Sequence, residues 1–299
     1  MLTVDIAGLR LRNPVMLASG VVGSNKILLA KAWESGAGAV VTKTYTVEPR
    51  EGYTTPIIVD LPYGYLNAVG LENPGIDHIG ETVDFLKKRG ATIIVSIAGR
   101  NIDEFVKLAE KSQECGADAV ELNLSCPHAR GYGFEIGIDR EAVVRIIRKL
   151  KEEIDIPIFP KFGYMPKLVD MLKMAEIAGA DGVVLINTIR GMKIDIWIKK
   201  PILSNKFGGL SGPAIHPIAV ACVYEAHEQL DIPIIASGGV WGWEEAIEFL
   251  LAGATAVQVG SIIGERGTAI FREIIDGLEK YLMENNLNHV EEIIGFAHH

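Results

Sequence analysis

The residues best equipped for chemistry sit where apolar runs end. Lys43 and Lys161 each close such a run, and an ammonium group there must either reach out to solvent or meet an anion. Cys126 lies just past another run and is followed by Pro127, then by Gly131, Gly133 and Gly137. A free cysteine is ordinarily a small buried hydrophobe. On a loop with hinge-like glycines, near lysine or hydroxyl groups, its thiolate can instead serve as a general base. Gly238-Gly239 and Gly260-Ser261 end two further runs, and bare backbone N–H groups at such places can approach phosphate oxygens. Asn67, Asn73, Asn123 and Asn187 each offer a carbonyl and an amide edge, suited to a ligand with paired donors and acceptors. The two lysines and the glycine turns together point to a phosphorylated ligand with delocalised negative charge. Flavin fits, because a lysine beside its N1–C2 region stabilises the anionic reduced ring. His78, His216 and His227 have no H-x-x-x-H partner and read as surface or packing residues, so no metal site is expected.

Composition narrows the classes. With 48% hydrophobic residues in 299, the chain has material for a sizeable core, which excludes disorder. No stretch approaches the roughly 18 consecutive apolar residues of a membrane span, and the N-terminal residues lack a signal-peptide layout. A cytoplasmic protein is expected. A net charge of −9 argues against a large nucleic-acid footprint. Cys115, Cys126 and Cys222 are too few for a disulfide scaffold, and too few for a four-cysteine iron–sulfur cluster held by this chain alone. Nothing resembling a linker interrupts the sequence, so residues 1–299 are expected to form one domain.

The elements that must position these residues show through internal repetition. The phrase Gly-Ala-Gly/Asp/Thr-Ala/Gly-Val occurs at Gly36, Gly116, Gly179 and Gly253, each time after a helix-like segment. Glycine accepts the left-handed conformation that ends a helix, and the β-branched run after it suits a buried strand. A second phrase, Asp-Ile-Pro-Ile at Asp155 and Asp231, opens two more strands. Eight apolar runs follow: 15–17, 39–42, 92–97, 119–124, 157–162, 182–186, 233–236 and 256–259. Helical spacing of Ile102, Phe105, Val106 and Ala109, and of Val143, Ile146, Ile147 and Leu150 behind Asp139, fills two of the intervals. Eight strand–helix units predict a (β/α)8 TIM barrel; an open doubly wound sheet is the alternative, but the G-x-G-x-x-G expected after its first strand does not occur. Long excursions at 45–67 and 190–210 follow strands, on the face where barrel sites form. Within the second, alternation over 192–199 predicts a short hairpin strand, serving as lid, subunit contact or surface decoration.

The strand ends, taken in order, carry Ser19, Lys43-Thr44, Ser96, Asn123, Lys161, Asn187-Thr188, Ser237-Gly238-Gly239 and Gly260-Ser261. With Asn67-Ala68-Val69-Gly70-Leu71-Glu72-Asn73-Pro74-Gly75, Glu121-Leu122-Asn123-Leu124-Ser125-Cys126-Pro127, Gly209-Leu210-Ser211-Gly212-Pro213-Ala214 and Ser237-Gly238-Gly239-Val240, the sequence resembles the class 1 dihydroorotate dehydrogenases, flavin barrels of pyrimidine synthesis, over nearly its whole length. The resemblance implies that FMN touches Ser19, Lys43, Thr44, Asn123, Lys161, Ile186, Gly212, Gly238, Gly239, Gly260 and Ser261. It implies a substrate site at Lys43, Asn67, Ala68, Val69, Gly70, Leu71, Asn123, Asn187 and Thr188. Cys126 takes the family's general-base position, removing a C5 proton of dihydroorotate while a hydride leaves C6 for the flavin, giving orotate.

Two positions depart from the family pattern. His128 stands where the family usually carries Asn, and Phe162-Gly163-Tyr164-Met165-Pro166 replaces a run containing a Pro-Asn pair. A histidine can still donate a hydrogen bond there or tune the thiol. The quinone-linked members have an N-terminal membrane-facing extension and a serine base, unlike this chain. Asn187-Thr188 and the run from Gly208 to Ala214 look more like the NAD-linked class than the fumarate-linked one. With neither a dinucleotide fingerprint nor clustered cysteines, the chain is expected to pass electrons through a separate subunit. By resemblance that subunit carries FAD and a 2Fe-2S cluster, in a homodimer or heterotetramer. Three other readings compete: a flavin barrel acting on a related pyrimidine or an enoate, a non-redox phosphate-binding lyase or isomerase using Lys43 or Lys161 as a Schiff base, and a non-catalytic scaffold.

Overall fold

The computed structural model describes residues 1–124, 137 and 139–299. Eight parallel strands close into a barrel: β1 (Val15–Leu17), β2 (Ala39–Val41), β3 (Ile93–Ile97), β4 (Ala119–Asn123), β5 (Ile158–Phe162), β6 (Val183–Leu185), β7 (Ile234–Ser237) and β8 (Ala256–Val259). Each pairs with its sequence neighbours, and β8 returns to β1 with Val257 opposite Val15. The eight runs expected from the sequence are these eight strands, offset by a residue at some ends. Their residues are almost all buried, as both faces of a barrel strand must be: the inner face packs in the interior and the outer face against helices.

The repeated phrases have structural counterparts. Gly36, Gly116, Gly179 and Gly253 all have φ between 88° and 116°, where a side chain is strained, and each turns a helix end into a strand. In two of the phrases the following aspartate does a second job. Asp118 accepts the Ile93 N–H at 2.7 Å and the Lys87 ammonium, and Asp181 accepts the Ile158 N–H and Lys151 Nζ, both at 2.9 Å. The Asp-Ile-Pro-Ile phrases are anchored just as regularly. Gln113 Oε1 accepts the Asp155 N–H and Glu176 Oε1 the Asp231 N–H, both at 2.7 Å, so each strand entrance is tied to the helix beside it.

The helices form with conventional signals. Ile102–Glu114 starts at Asn101, whose side chain accepts the Glu104 N–H, and Arg140–Glu153 starts at Asp139, which accepts the Ala142 N–H. In the latter, Val143, Ile146, Ile147 and Leu150 are the buried stripe. One continuous apolar core runs from Leu2 to Ile293.

The two excursions build a structure that neither announces alone. Residues Ile189–Gly191, Gly208–Ser211, Gly64–Asn67 and Ile58–Leu61 form one four-stranded antiparallel sheet in that order. The hairpin expected over 192–199 is shorter than its alternation implies. Only Ile194–Asp195 pairs, with Lys200–Pro201, and residues 196–199 are its turn. Asp195 Oδ1 accepts the Trp197 and Ile198 N–H groups at 2.8 and 2.9 Å, which closes the chain into a turn before a longer ladder can form. Among the described residues no helix is long and apolar enough to cross a membrane.

Candidate active site

At the carboxyl ends of the strands lies a cavity of about 660 Å³, and it gathers residues far apart in the chain, from Ala18 to Thr268. Ser19, Lys43, Thr44, Asn123, Lys161, Ile186, Gly212, Gly238, Gly239, Gly260 and Ser261 all line it, as do Asn67, Val69, Gly70, Leu71, Asn187 and Thr188.

Ala68 does not. Along residues 64–70 exposure alternates strictly, the pleat turning Tyr65, Asn67 and Val69 to the cavity. Leu66 and Ala68 turn the other way into a small core with Leu203, and the Ala68 N–H is taken by the Ile57 carbonyl at 2.7 Å. Asn73 also has a structural task. Its amide donates to the Leu71 carbonyl and Thr46 Oγ1, and its oxygen accepts the N–H groups of Thr46 and Gly75. Cys126 and His128 lie outside the described residues.

One wall is a chain of hydroxyl and amide groups. Ser19 Oγ donates to the Thr42 carbonyl at 2.8 Å, Thr44 Oγ1 lies 3.0 Å from Ser96 Oγ, and Asn123 Nδ2 donates to Thr44 Oγ1 at 3.1 Å. Asn187 Nδ2 approaches Asn123 Oδ1 at 3.5 Å, while Asn187 Oδ1 accepts the Thr188 N–H. Asn67 is held from across the excursion sheet, donating to the Gly209 carbonyl at 3.3 Å. Strands β2, β4 and β6 and the sheet thereby fix three asparagine amides around one space.

A second part of the lining is backbone. Gly238 and Gly239 have φ of 129° and 75°, and a Cβ on Gly239 would come within 2.6 Å of His216 Cβ and 2.8 Å of the Gly212 carbonyl oxygen. A side chain is therefore excluded twice, by conformation and by space. His216, read from sequence as an ordinary histidine, is buried against this turn. Its Nδ1 is 3.1 Å from the Gly238 carbonyl, and its Nε2 is 3.0 Å from Glu248. Ser261 Oγ donates to Ser211 Oγ at 2.7 Å, tying the end of β8 to the excursion sheet. Tight glycine turns of this kind are suited to holding an anion such as phosphate on their backbone N–H groups.

The floor is charged. Lys161, only 6% exposed, donates to Gln258 Oε1 at 2.6 Å and lies 3.7 Å from the Glu121 carboxylate. Lys43 is half-buried and passes over Gly20, its Nζ 3.6 Å from where a Cβ on that glycine would stand. Glu121, Gln258, Tyr65 and Trp241 also line the cavity, although sequence reasoning did not single them out as site residues. Tyr65 donates to Glu265 at 2.8 Å, and that bond, with a smaller contribution from burial, holds its phenol up at about 12. Among the described residues no cluster of His, Cys, Asp and Glu could hold a metal ion.

Comparison with known proteins agrees with this geometry. The family model described as dihydroorotate dehydrogenase matches residues 1–282. The Pyrococcus abyssi protein named dihydroorotate dehydrogenase B (NAD(+)), catalytic subunit, is 50% identical over 301 residues, covering 99% of each chain. The Pyrococcus furiosus protein of the same name is 49% identical over 302 residues, covering 98% of each. An Aeropyrum pernix protein named putative dihydroorotate dehydrogenase A (fumarate) is 43% identical over 298 residues, covering 99% of this chain and 97% of its own. Similarity that runs from end to end, over a barrel whose strand ends carry the quoted motifs into one cavity, leaves a single assignment: the chain belongs to the dihydroorotate dehydrogenase family.

Proposed function

We propose that this chain is the catalytic subunit of an NAD-linked dihydroorotate dehydrogenase, binding FMN and oxidising (S)-dihydroorotate to orotate for pyrimidine synthesis. The observation that carries the reading is the convergence of Lys43, Lys161, Asn67, Asn123 and Asn187 with the Gly238-Gly239 turn around one cavity. The residues fit FMN. The turn is a cradle that any Cβ would fill, suited to the phosphate, and Lys161 supplies a buried cation for the pyrimidine end of the ring. FMN, when bound, supplies the acceptor for the hydride that leaves C6.

Everything else falls to the chain. Lys43 lies where it can meet both the ring and the substrate carboxylate. The three asparagine amides match the paired C=O and N–H edges of a dihydropyrimidine and fix its orientation. Cys126, assigned by resemblance and by its place in the sequence, takes the C5 proton as the hydride departs from C6. One proton and two electrons with their hydrogen thus leave the substrate, and the C5–C6 double bond forms. Lys161 is engaged by Gln258 and lies beside Glu121, so its nitrogen is held in place rather than presented as the nucleophile a Schiff-base lyase requires.

The words "catalytic subunit" in the names of the relatives support a separate electron-transfer partner, expected to carry FAD and a 2Fe-2S cluster, in a homodimer or heterotetramer. The run from Gly208 to Ala214 favours NAD over fumarate as final acceptor. A cytoplasmic location and a single domain over 1–299 belong to the same reading. The test is Cys126→Ala. It should keep FMN and bind orotate while losing about 10² to 10⁴ in dihydroorotate oxidation. An alanine variant that oxidises dihydroorotate at the wild-type rate removes Cys126 from the role and makes His128 the next residue to change.

A further inference from the structure

Beneath the cavity three side chains from three strands meet in the barrel interior. Glu121 on β4 is 1% exposed, Lys161 on β5 6% and Gln258 on β8 1%. Glu121 and Asn123 stand two apart on one strand, so they share its inward face. Gln258 spans the other two. Its Oε1 accepts from Lys161 Nζ at 2.6 Å, and its Nε2 donates to Glu121 Oε2 at 2.7 Å. The orientation of this amide is forced, because turning it over would set oxygen against carboxylate and NH2 against ammonium. The second carboxylate oxygen, Oε1, accepts no hydrogen bond from the described residues and faces Lys161 Nζ at 3.7 Å.

Such an arrangement is costly to fold, since a buried ion pair of this kind repays its desolvation only in good geometry. An apolar trio would pack the same interior without that cost. All three residues line the cavity floor, so the charge is retained where a ligand can sense it.

We propose that Glu121, acting through Gln258, is a positioning residue for Lys161 that also offsets its charge, and that this relay sets how strongly the site prefers reduced over oxidised flavin. The inference rests on the FMN reading above. A lysine free of its carboxylate presents a full positive charge to the ring and favours the anionic reduced form. A lysine tethered and partly neutralised by Glu121 presents less, and holds the flavin at a potential from which electrons can be passed on. Gln258 carries the effect because it fixes the ammonium in place while contacting the carboxylate.

The experiment measures FMN rather than turnover. The wild-type chain, Glu121→Gln, Lys161→Met and the double variant are stripped of flavin and titrated with oxidised and with reduced FMN, and the midpoint potential of each loaded protein is recorded. Glu121→Gln should favour reduced over oxidised FMN by about tenfold more than wild type, a rise of about 30 mV for a two-electron couple. Lys161→Met should move the preference the other way, and the double variant should match Lys161→Met, because without the ammonium the carboxylate has nothing to position. An unchanged or lowered potential in Glu121→Gln overturns the relay, as does an undiminished upward shift in the Lys161→Met background. If Glu121→Gln does not fold, Gln258→Met, which keeps both charges but removes the hydrogen-bonded bridge between them, decides: a raised potential supports the relay and an unchanged or lowered one overturns it. A wild-type chain that takes up no FMN sinks the flavin reading itself, whereas normal FMN binding with an unmoved potential in the variants sinks only the relay.

Discussion

The two cavity lysines are not equivalent, and the difference dictates what each substitution should do. Lys161 is almost fully buried and held by Gln258 and Glu121, whereas Lys43 is only half-buried, over Gly20. Lys43→Ala should therefore weaken both FMN and orotate, by about 10- to 100-fold each if a charge-assisted hydrogen bond is lost to both. Lys161→Ala should weaken FMN while leaving orotate affinity much closer to wild type. Separate titrations of the two ligands check this, and equal losses on both ligands from both lysines would refute the division. Lys43, Lys161, Asn123 and Asn187 were legible in the sequence because a polar residue at the end of an apolar run has few structural reasons to be there. Glu121 and Gln258 were not, although Gln258 stands one residue from the end of its run, as Asn123 and Lys161 do in theirs. In strands buried on both faces the sequence carries no alternation that separates an inward side chain from an outward one. Ala68 illustrates the converse: a contiguous motif was read as a contiguous contact surface, and the pleat divides it between two faces.

Elements position the site through close approaches of backbone. The Gly238-Gly239 turn is pressed onto the helix His216–His227, with His216 bridging the Gly238 carbonyl and Glu248. Gly239→Ala should destabilise the chain by about 1–3 kcal/mol, from a side chain forced into a positive-φ conformation against its neighbours, and should lower FMN affinity in the same variant. His216→Ala should loosen the turn with less strain, so FMN affinity falls more than the unfolding free energy would suggest. Denaturant unfolding and FMN titration on both proteins measure the two effects. The strand–helix alternation was legible because the glycine and aspartate of each joint have local tasks that repeat. The excursion sheet was not. Its central pairing joins Leu66 to Leu210, and no local pattern encodes a partner so far along the chain. The same limit applies to residues 192–199, where alternation alone does not reveal that Asp195 turns the chain.

For the whole molecule, the main core, continuous from Leu2 to Ile293 among the described residues, should unfold in one cooperative transition. Its dependence on alkaline pH has an identifiable contributor. Cys222 is buried on the helix His216–His227, and burial, with Glu225 nearby, lifts its thiol from the ordinary 9.0 to about 11. The fold favours the neutral thiol, so this contribution is fully present below pH 9 and is lost as pH rises through about 11. The denaturant midpoint should fall more steeply across that window in the wild type than in Cys222→Ala; parallel slopes would remove Cys222 as the cause. On the proposed function the electron path extends beyond this chain. With three cysteines and no G-x-G-x-x-G, the isolated chain should oxidise dihydroorotate with an artificial dye or oxygen, reduce NAD only slowly, and gain NAD reduction when its partner subunit is added. Robust NAD reduction by the single chain, or efficient turnover with fumarate alone, would reassign the acceptor. The central claim, that this cavity brings FMN and dihydroorotate together, is tested most directly by adding dihydroorotate to the FMN-loaded chain without oxygen and following the visible flavin band. The band should bleach, with one orotate formed per flavin reduced; a chain that stays fully coloured with saturating dihydroorotate, or never acquires the band when offered FMN, would contradict the account.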